Sequence, residues 1–105
     1  MCKAKDYTNR LLDIFEEIKC FNKQLAKELS KFDLMEQDVL HKIEGESFNT
    51  YQGYVLAKQI KDIRNERRDI KDERAAMQSL IDSTEAIKRR VEKANKNILN
   101  LESSL

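Results

Sequence analysis

Residues 56–105 read LAKQIKDIRNERRDIKDERAAMQSLIDSTEAIKRRVEKANKNILNLESSL. Every seventh residue of this stretch forms a column: Leu56, Ile63, Ile70, Met77, Thr84, Val91, Ile98 and Leu105. All but Thr84 are apolar. A seven-residue apolar repeat keeps one seam of a slightly underwound helix turned toward a partner. The stretch therefore predicts a long, coiled-coil-like helix, and the rest of the chain is expected to cover its seam.

Working upstream, Asn49 with Gln52 three residues on has the spacing of a capping box, which places the start of this helix at about residue 49. Ile60 joins Leu56, Ile63 and Ile70 on one side of its first half. In its second half, Leu80, Ile87, Ala94 and Leu101 add a second column. Ahead of the turn, Leu11, Ile18, Leu25, Phe32 and Val39 repeat the seven-residue spacing. Ile14, Phe21, Glu28, Met35 and Lys42 form the column beside it, with Leu29 and Ile43 supplying apolar groups where that column turns charged. These columns predict a first amphipathic helix over about 6–44, capped by Asp6 or Thr8. Gly45 is expected to close it in a left-handed conformation.

The expected architecture is all-α: one domain, 1–105, with a helix over about 6–44, a turn at 45–48 and a helix over about 49–101. A break near 82–84, where Asp82 and Glu85 have capping spacing, is the alternative for the second helix. So short a connection returns the second helix antiparallel to the first. Folding about the turn sets residue i against roughly residue 95 − i. Roughly the last 20 residues, about 30 Å of helix, are then left without a partner in their own chain. A lone amphipathic helix is marginal in water. The expectation is therefore a homo-oligomer, a dimer first, with Leu80, Ile87, Val91, Ile98 and Leu101 at its interface. The same arithmetic brings Arg67 to Glu28 and predicts an ion pair that fixes register.

The 105 residues include no Pro and only two Gly, and 37% are charged. Charge at that level with heptad spacing is the composition of long helices. The net charge of +1 does not by itself call for nucleic acid or an acidic membrane. No apolar run approaches the ~20 residues that span a bilayer, and no secretory signal opens the chain, so no membrane partner and a cytoplasmic location are expected. Cys2 and Cys20 fit no zinc or redox spacing and are expected to be free thiols. His41 has no completed set of metal-ligand neighbours. With no glycine-rich phosphate loop and no nucleophile–base pair, no enzyme, cofactor or metal is expected.

Two surfaces remain for binding. Arg64, Arg67, Arg68, Lys71 and Arg74 cluster on one arc of the second helix, opposite Asp62, Glu66, Asp69, Asp72 and Glu73. A charge-laced solvated helix is the plain reading of this arc; partner contact through Arg64, Arg68 and Lys71 is the functional one. Phe48, Tyr51 and Tyr54 gather at the turn, either to cap the core or to anchor a partner. A further basic cluster, Lys88, Arg89, Arg90, Lys93 and Lys96, raises nucleic-acid binding as an alternative, although no aromatic stacking platform accompanies it.

The run Phe48-Asn49, Gly53-Tyr54, Leu56, Lys58-Gln59, Arg64, Glu66-Arg67-Arg68 and Lys71, preceded by Asp38-Val39-Leu40-His41 and Ile43-Glu44, resembles small helical proteins of phages and prophages of Gram-positive bacteria. The resemblance covers about residues 30–75. It implies a phage accessory protein that acts by binding a host protein, with an anti-CRISPR or similar inhibitor of host defence as one version. The rival expectations are a nucleic-acid-associated helical protein and a structural coiled-coil assembly part.

Overall fold

The computed structural model describes residues 2–104; Leu105 of the opening column, and the side chain of Cys2, lie outside what is described. Two helices account for all of it except residues 46–49. They are α1, Cys2–Gly45, and α2, Thr50–Ser104. They form an antiparallel helical hairpin. α2 passes residues 82–84 without interruption. There the Thr84 hydroxyl donates to the carbonyls of Leu80 at 2.8 Å and Ile81 at 3.3 Å, so a polar side chain is satisfied inside the helix. α1 begins at Cys2, so Asp6 and Thr8, the two expected caps, both lie inside it, and the Thr8 hydroxyl makes the same kind of bond, to the Ala4 carbonyl at 2.7 Å.

The turn is built from its capping chemistry. The Gln52 backbone N–H donates to Asn49 Oδ1 at 2.8 Å, and the Asn49 N–H donates to Gln52 Oε1 at 3.1 Å. Two N–H groups that the start of a helix leaves unpaired are thereby satisfied reciprocally. Phe48, the residue before the cap, packs where a staple residue belongs: its ring lies 3.2 and 3.3 Å from the point a Cβ on Gly53 would occupy. The other end differs from expectation. Gly45 is the last residue of α1 and has no positive φ. The Glu46 N–H still reaches the Lys42 carbonyl at 3.2 Å, so ordinary helical bonding closes α1 without a left-handed residue.

Contacts divide the chain into two compact units. The turn unit is Lys23–Ala75. The terminal unit is Met1–Asn22 with Ala76–Leu105.

In the turn unit the core is aliphatic. Leu25 and Val39 of α1 and Ile63 of α2 are buried, and Leu29, Phe32, Ile43, Leu56, Ile60 and Ile70 are half-buried around them. Full burial of one such side chain stabilises by about 1.5–3 kcal/mol. Arg64 Nε donates to Glu36 Oε1 at 3.0 Å, and Arg67 Nε donates to Asp33 Oδ1. Residue i therefore faces roughly residue 100 − i, and the expected Arg67–Glu28 pair does not form. Glu28 is exposed. The physical reason lies in residues 46–49, which carry the start of α2 past the end of α1. The overhang is about five residues, roughly 7 Å.

In the terminal unit the most buried residue is polar, Thr8. Leu12, Phe15 and Ile18 of α1 and Met77, Ile81, Val91 and Ile98 of α2 are half-buried. Asn22, Thr84, Lys88 and Asn95 share that inward arc. Asn22 Nδ2 donates to Gln78 Oε1 at 3.3 Å, while its buried Oδ1 has no hydrogen-bond partner. Lys5 Nζ lies 3.5 Å from Glu102 Oε2. The Lys19 ammonium is held above the usual lysine range by the nearby carboxylates of Glu85, Glu16 and Glu92. The last 20 residues of α2 thus have a partner in their own chain: Glu102 stands opposite Lys5. The expectation of a tail left over by the hairpin is corrected by the register, which runs past 95 − i.

Candidate functional site

Which columns face inward decides what is left for partners. The first column of each helix is as expected except at Leu11, which is exposed: Ile18, Leu25, Phe32 and Val39 on α1, and Leu56, Ile63, Ile70, Met77, Thr84, Val91 and Ile98 on α2, are buried or half-buried. The second inward column is not the expected one. On α1 it is Thr8, Phe15, Asn22, Leu29, Glu36 and Ile43. On α2 it is Ile60, Arg67, Ile81, Lys88, Asn95 and Glu102. Ile14, Phe21 and Met35 of α1, and Leu80, Ile87 and Leu101 of α2, therefore point outward, each between 40% and 58% exposed.

Within the terminal unit these outward groups share one side of the helix pair. The Lys5–Glu102 pair marks one margin of the contact, and Lys19 beside Glu85 and Lys88 lies along it. On α1 the Lys5, Lys19 column is at one edge of the inward arc, and Ile14 and Phe21 lie beyond the other edge. On α2 Glu102 is likewise at one edge, and Leu80, Ile87 and Leu101 lie beyond the other. Two margins that face each other through the Lys5–Glu102 pair and through Lys19 beside Glu85 put the two opposite margins together on the far side. The terminal unit thus has a charged edge and an apolar edge. Tyr7 and Leu11, both exposed, extend the apolar edge on α1, and Arg10 lies over the Tyr7 ring at 5.7 Å. Of the residues expected at an oligomer interface, Leu80, Ile87 and Leu101 are on this edge. Val91 and Ile98 are turned into the intrachain contact.

The turn unit offers a different surface. Tyr51 and Tyr54 are 74% and 67% exposed, because the overhanging first turn of α2 has no α1 beside it. Of the two readings of the turn aromatics, the core-capping one does not hold for these tyrosines. Tyr54, Ala57, Lys61, Arg64, Arg68 and Lys71 follow one another at helical spacings of three and four, so they line one flank of α2. Arg68 and Lys71 are exposed, and Arg64 is held by Glu36. Beside this flank lies an open groove of about 560 Å³. Phe48 forms its end wall; Ile43, Leu56, Ala57 and Ile60 form its floor. Lys61, Arg64 and Arg68 stand along its rim. A smaller groove of about 330 Å³ lies by Tyr51, Val55 and Gln59.

The sequence reading missed the role of Phe48 as a wall. Its signal was present: a residue before an Asn-x-x-Gln cap, with glycine at the position its ring must cover. It also missed Ile14 and Phe21 as outward groups, having placed their column in the seam. Among the described residues no group of three or more His, Cys, Asp or Glu is placed to share a metal ion, and no helix is long and apolar enough to cross a membrane. Cys20 is an exposed free thiol, and His41 is exposed. No family model, curated protein or solved structure matches the chain.

Proposed function

We propose that this chain is a non-enzymatic binding protein. It self-associates through the apolar edge of its terminal unit, as a dimer, and contacts a second, unlike protein through the turn unit. One observation carries the reading. The terminal unit buries Thr8 and holds Asn22 and Thr84 between its helices, while Ile14, Phe21, Leu80, Ile87 and Leu101 are left facing outward. Large apolar side chains left outward on one side of a helix pair mark interaction sites.

The energies fit a reversible dimer. A half-exposed Leu, Ile or Phe yields about 1 kcal/mol when covered, so five on each of two protomers supply on the order of 10 kcal/mol. Lost translational and rotational freedom offsets several of these, about 4 kcal/mol or more. Charge does not oppose the contact, since the terminal unit has nine Lys and Arg against eight Asp and Glu. The resemblance of residues 30–75 to phage and prophage proteins supports an accessory role in the cytoplasm of a host cell. Blocking a host defence complex is one form of that role.

Sedimentation equilibrium across the micromolar range tests the reading. A dimer is expected that the Leu80→Asp, Ile87→Asp double variant converts to a monomer of unchanged helix content. A wild-type chain that stays monomeric at the highest concentration would refute self-association. Recovery of one host protein in stoichiometric amount by wild type, and not by Tyr51→Ala, Tyr54→Ala, tests the second contact.

A further inference from the structure

We infer that the groove beside Phe48 takes an acidic amphipathic helix of a partner protein. This names the chemistry of the unlike partner and rests on the turn-unit half of the proposed function.

The floor and the rim ask for different things of a ligand, and only some ligands satisfy both. Ile43, Leu56 and Ile60, closed at one end by Phe48, offer apolar surface in an open groove of about 560 Å³. Lys61, Arg64 and Arg68 line the same groove, and none of its lining residues is acidic. The Arg64 guanidinium gives its Nε–H to Glu36 and keeps further N–H donors for a ligand. Among the described residues neither Lys61 nor Arg68 has an ion-pair partner. Asp62 and Asp69 sit on the opposite flank of α2, and Asp72 lies beyond Arg68 on the side away from the floor. The local charge is therefore positive on one side of an apolar trough.

A nucleic-acid backbone would use the cations but leave the trough uncovered. An uncharged apolar peptide would fill the trough but leave the cations unpaired. A helix with an apolar stripe and carboxylates beside it satisfies both, in the helix-in-groove manner of recognition. Length agrees as well: the flank from Tyr54 to Lys71 spans about 25 Å, the length of a helix of roughly 17 residues. Tyr54 stands at one end of that flank, placed to cover the last apolar residue of the guest.

The test is fluorescence anisotropy with a small panel of labelled, designed helical peptides of this length. Each has Leu at positions i, i+3 and i+7 and Glu elsewhere. Three comparison probes have the same residues scrambled to destroy the stripe, Lys in place of Glu, or a single-stranded oligonucleotide of similar charge. The intact chain is expected to bind at least one acidic amphipathic peptide about tenfold or more tighter than its scramble, and about tenfold tighter than the Lys version. The Lys61→Glu, Arg68→Glu double variant, both changes being at the surface, should lose that preference with its helix content unchanged. The Leu80→Asp, Ile87→Asp variant should keep it.

Equal binding of the scramble, tighter binding of the oligonucleotide, no effect of the charge reversal, or no binding of any acidic peptide each overturns the inference. If peptide binding disappears only in the Leu80→Asp, Ile87→Asp variant, the peptide occupies the apolar edge. The groove assignment then fails while self-association stands. A monomeric wild type that still binds the peptide through Lys61 and Arg68 gives the converse.

Discussion

The turn unit and the terminal unit are made from the same two helices and the same heptad, yet they differ in what they bury most deeply. The turn unit hides Leu25, Val39 and Ile63 and places its charges along an ion-paired margin. The terminal unit hides Thr8, holds Asn22 with an unsatisfied oxygen, and leaves large apolar side chains outside, Ile14, Phe21, Leu80, Ile87 and Leu101 among them. The difference teaches that the hairpin is held mainly by the aliphatic core of its turn unit, while the contact in the terminal unit mixes apolar with polar groups.

The largest expected effect comes from truncating the same residue type in the two units. Leu25→Ala should cost about 2–5 kcal/mol in urea unfolding followed by circular dichroism, because a cavity is left in a packed core. Leu80→Ala should cost well under about 1 kcal/mol in the monomer. Similar losses at both positions would erase the contrast. Next is the Leu80→Asp, Ile87→Asp pair, which should weaken dimerisation by about a hundredfold or more in sedimentation, as apolar contacts are replaced by two buried carboxylates in each protomer.

Asn22→Leu should stabilise the terminal unit by about 1 kcal/mol, since it removes a buried acceptor with no partner. A lower melting temperature would mean that the bond to Gln78 matters more than the orphaned oxygen. Arg67→Ala should cost about 1 kcal/mol or less, as expected of a partly exposed ion pair. Glu28→Ala should cost nothing measurable, which separates the observed partner of Arg67 from the one the simple hairpin arithmetic gives. The smallest effect is Gly53→Ala. Helix propensity favours it by about 1 kcal/mol. The new Cβ, 3.2 Å from the Phe48 ring, takes back part of that. A net gain of about 0.5 kcal/mol follows if the half-exposed ring slides, and peptide binding in the groove should change with it.

Much of the fold was legible because it is local. The column from Leu56 to Ile98 needs only the repeat of an α-helix, and Asn49 with Gln52 needs only four residues of chain. The register was not legible to better than about five residues. It depends on how far residues 46–49 carry α2 beyond α1, and no periodicity encodes that. The surface was half legible: Tyr51, Tyr54, Arg68 and Lys71 are exposed where the turn and the basic arc put them, and Arg64 is paired with Glu36. The groove wall at Phe48 and the outward turn of Ile14 and Phe21 were not read.

The amino-acid sequence by itself determined two long helices, their antiparallel return and one inward column of each, since a seven-residue apolar repeat is the period of packed helices. Only the tertiary structure decided which neighbouring column joins it. In the C-terminal part of α2 the Leu80, Ile87, Leu101 column is the greasier choice over Ile81, Lys88, Asn95 and Glu102. Traced upstream, however, it becomes Glu73, Glu66 and Gln59, whereas the other becomes Arg67, paired with Asp33, and Ile60. Along α2 the same column is half-buried from Ile60 to Glu102, Arg74 excepted. The face that suits Ile60 therefore turns inward throughout, and the apolar groups of the terminal unit are left outside.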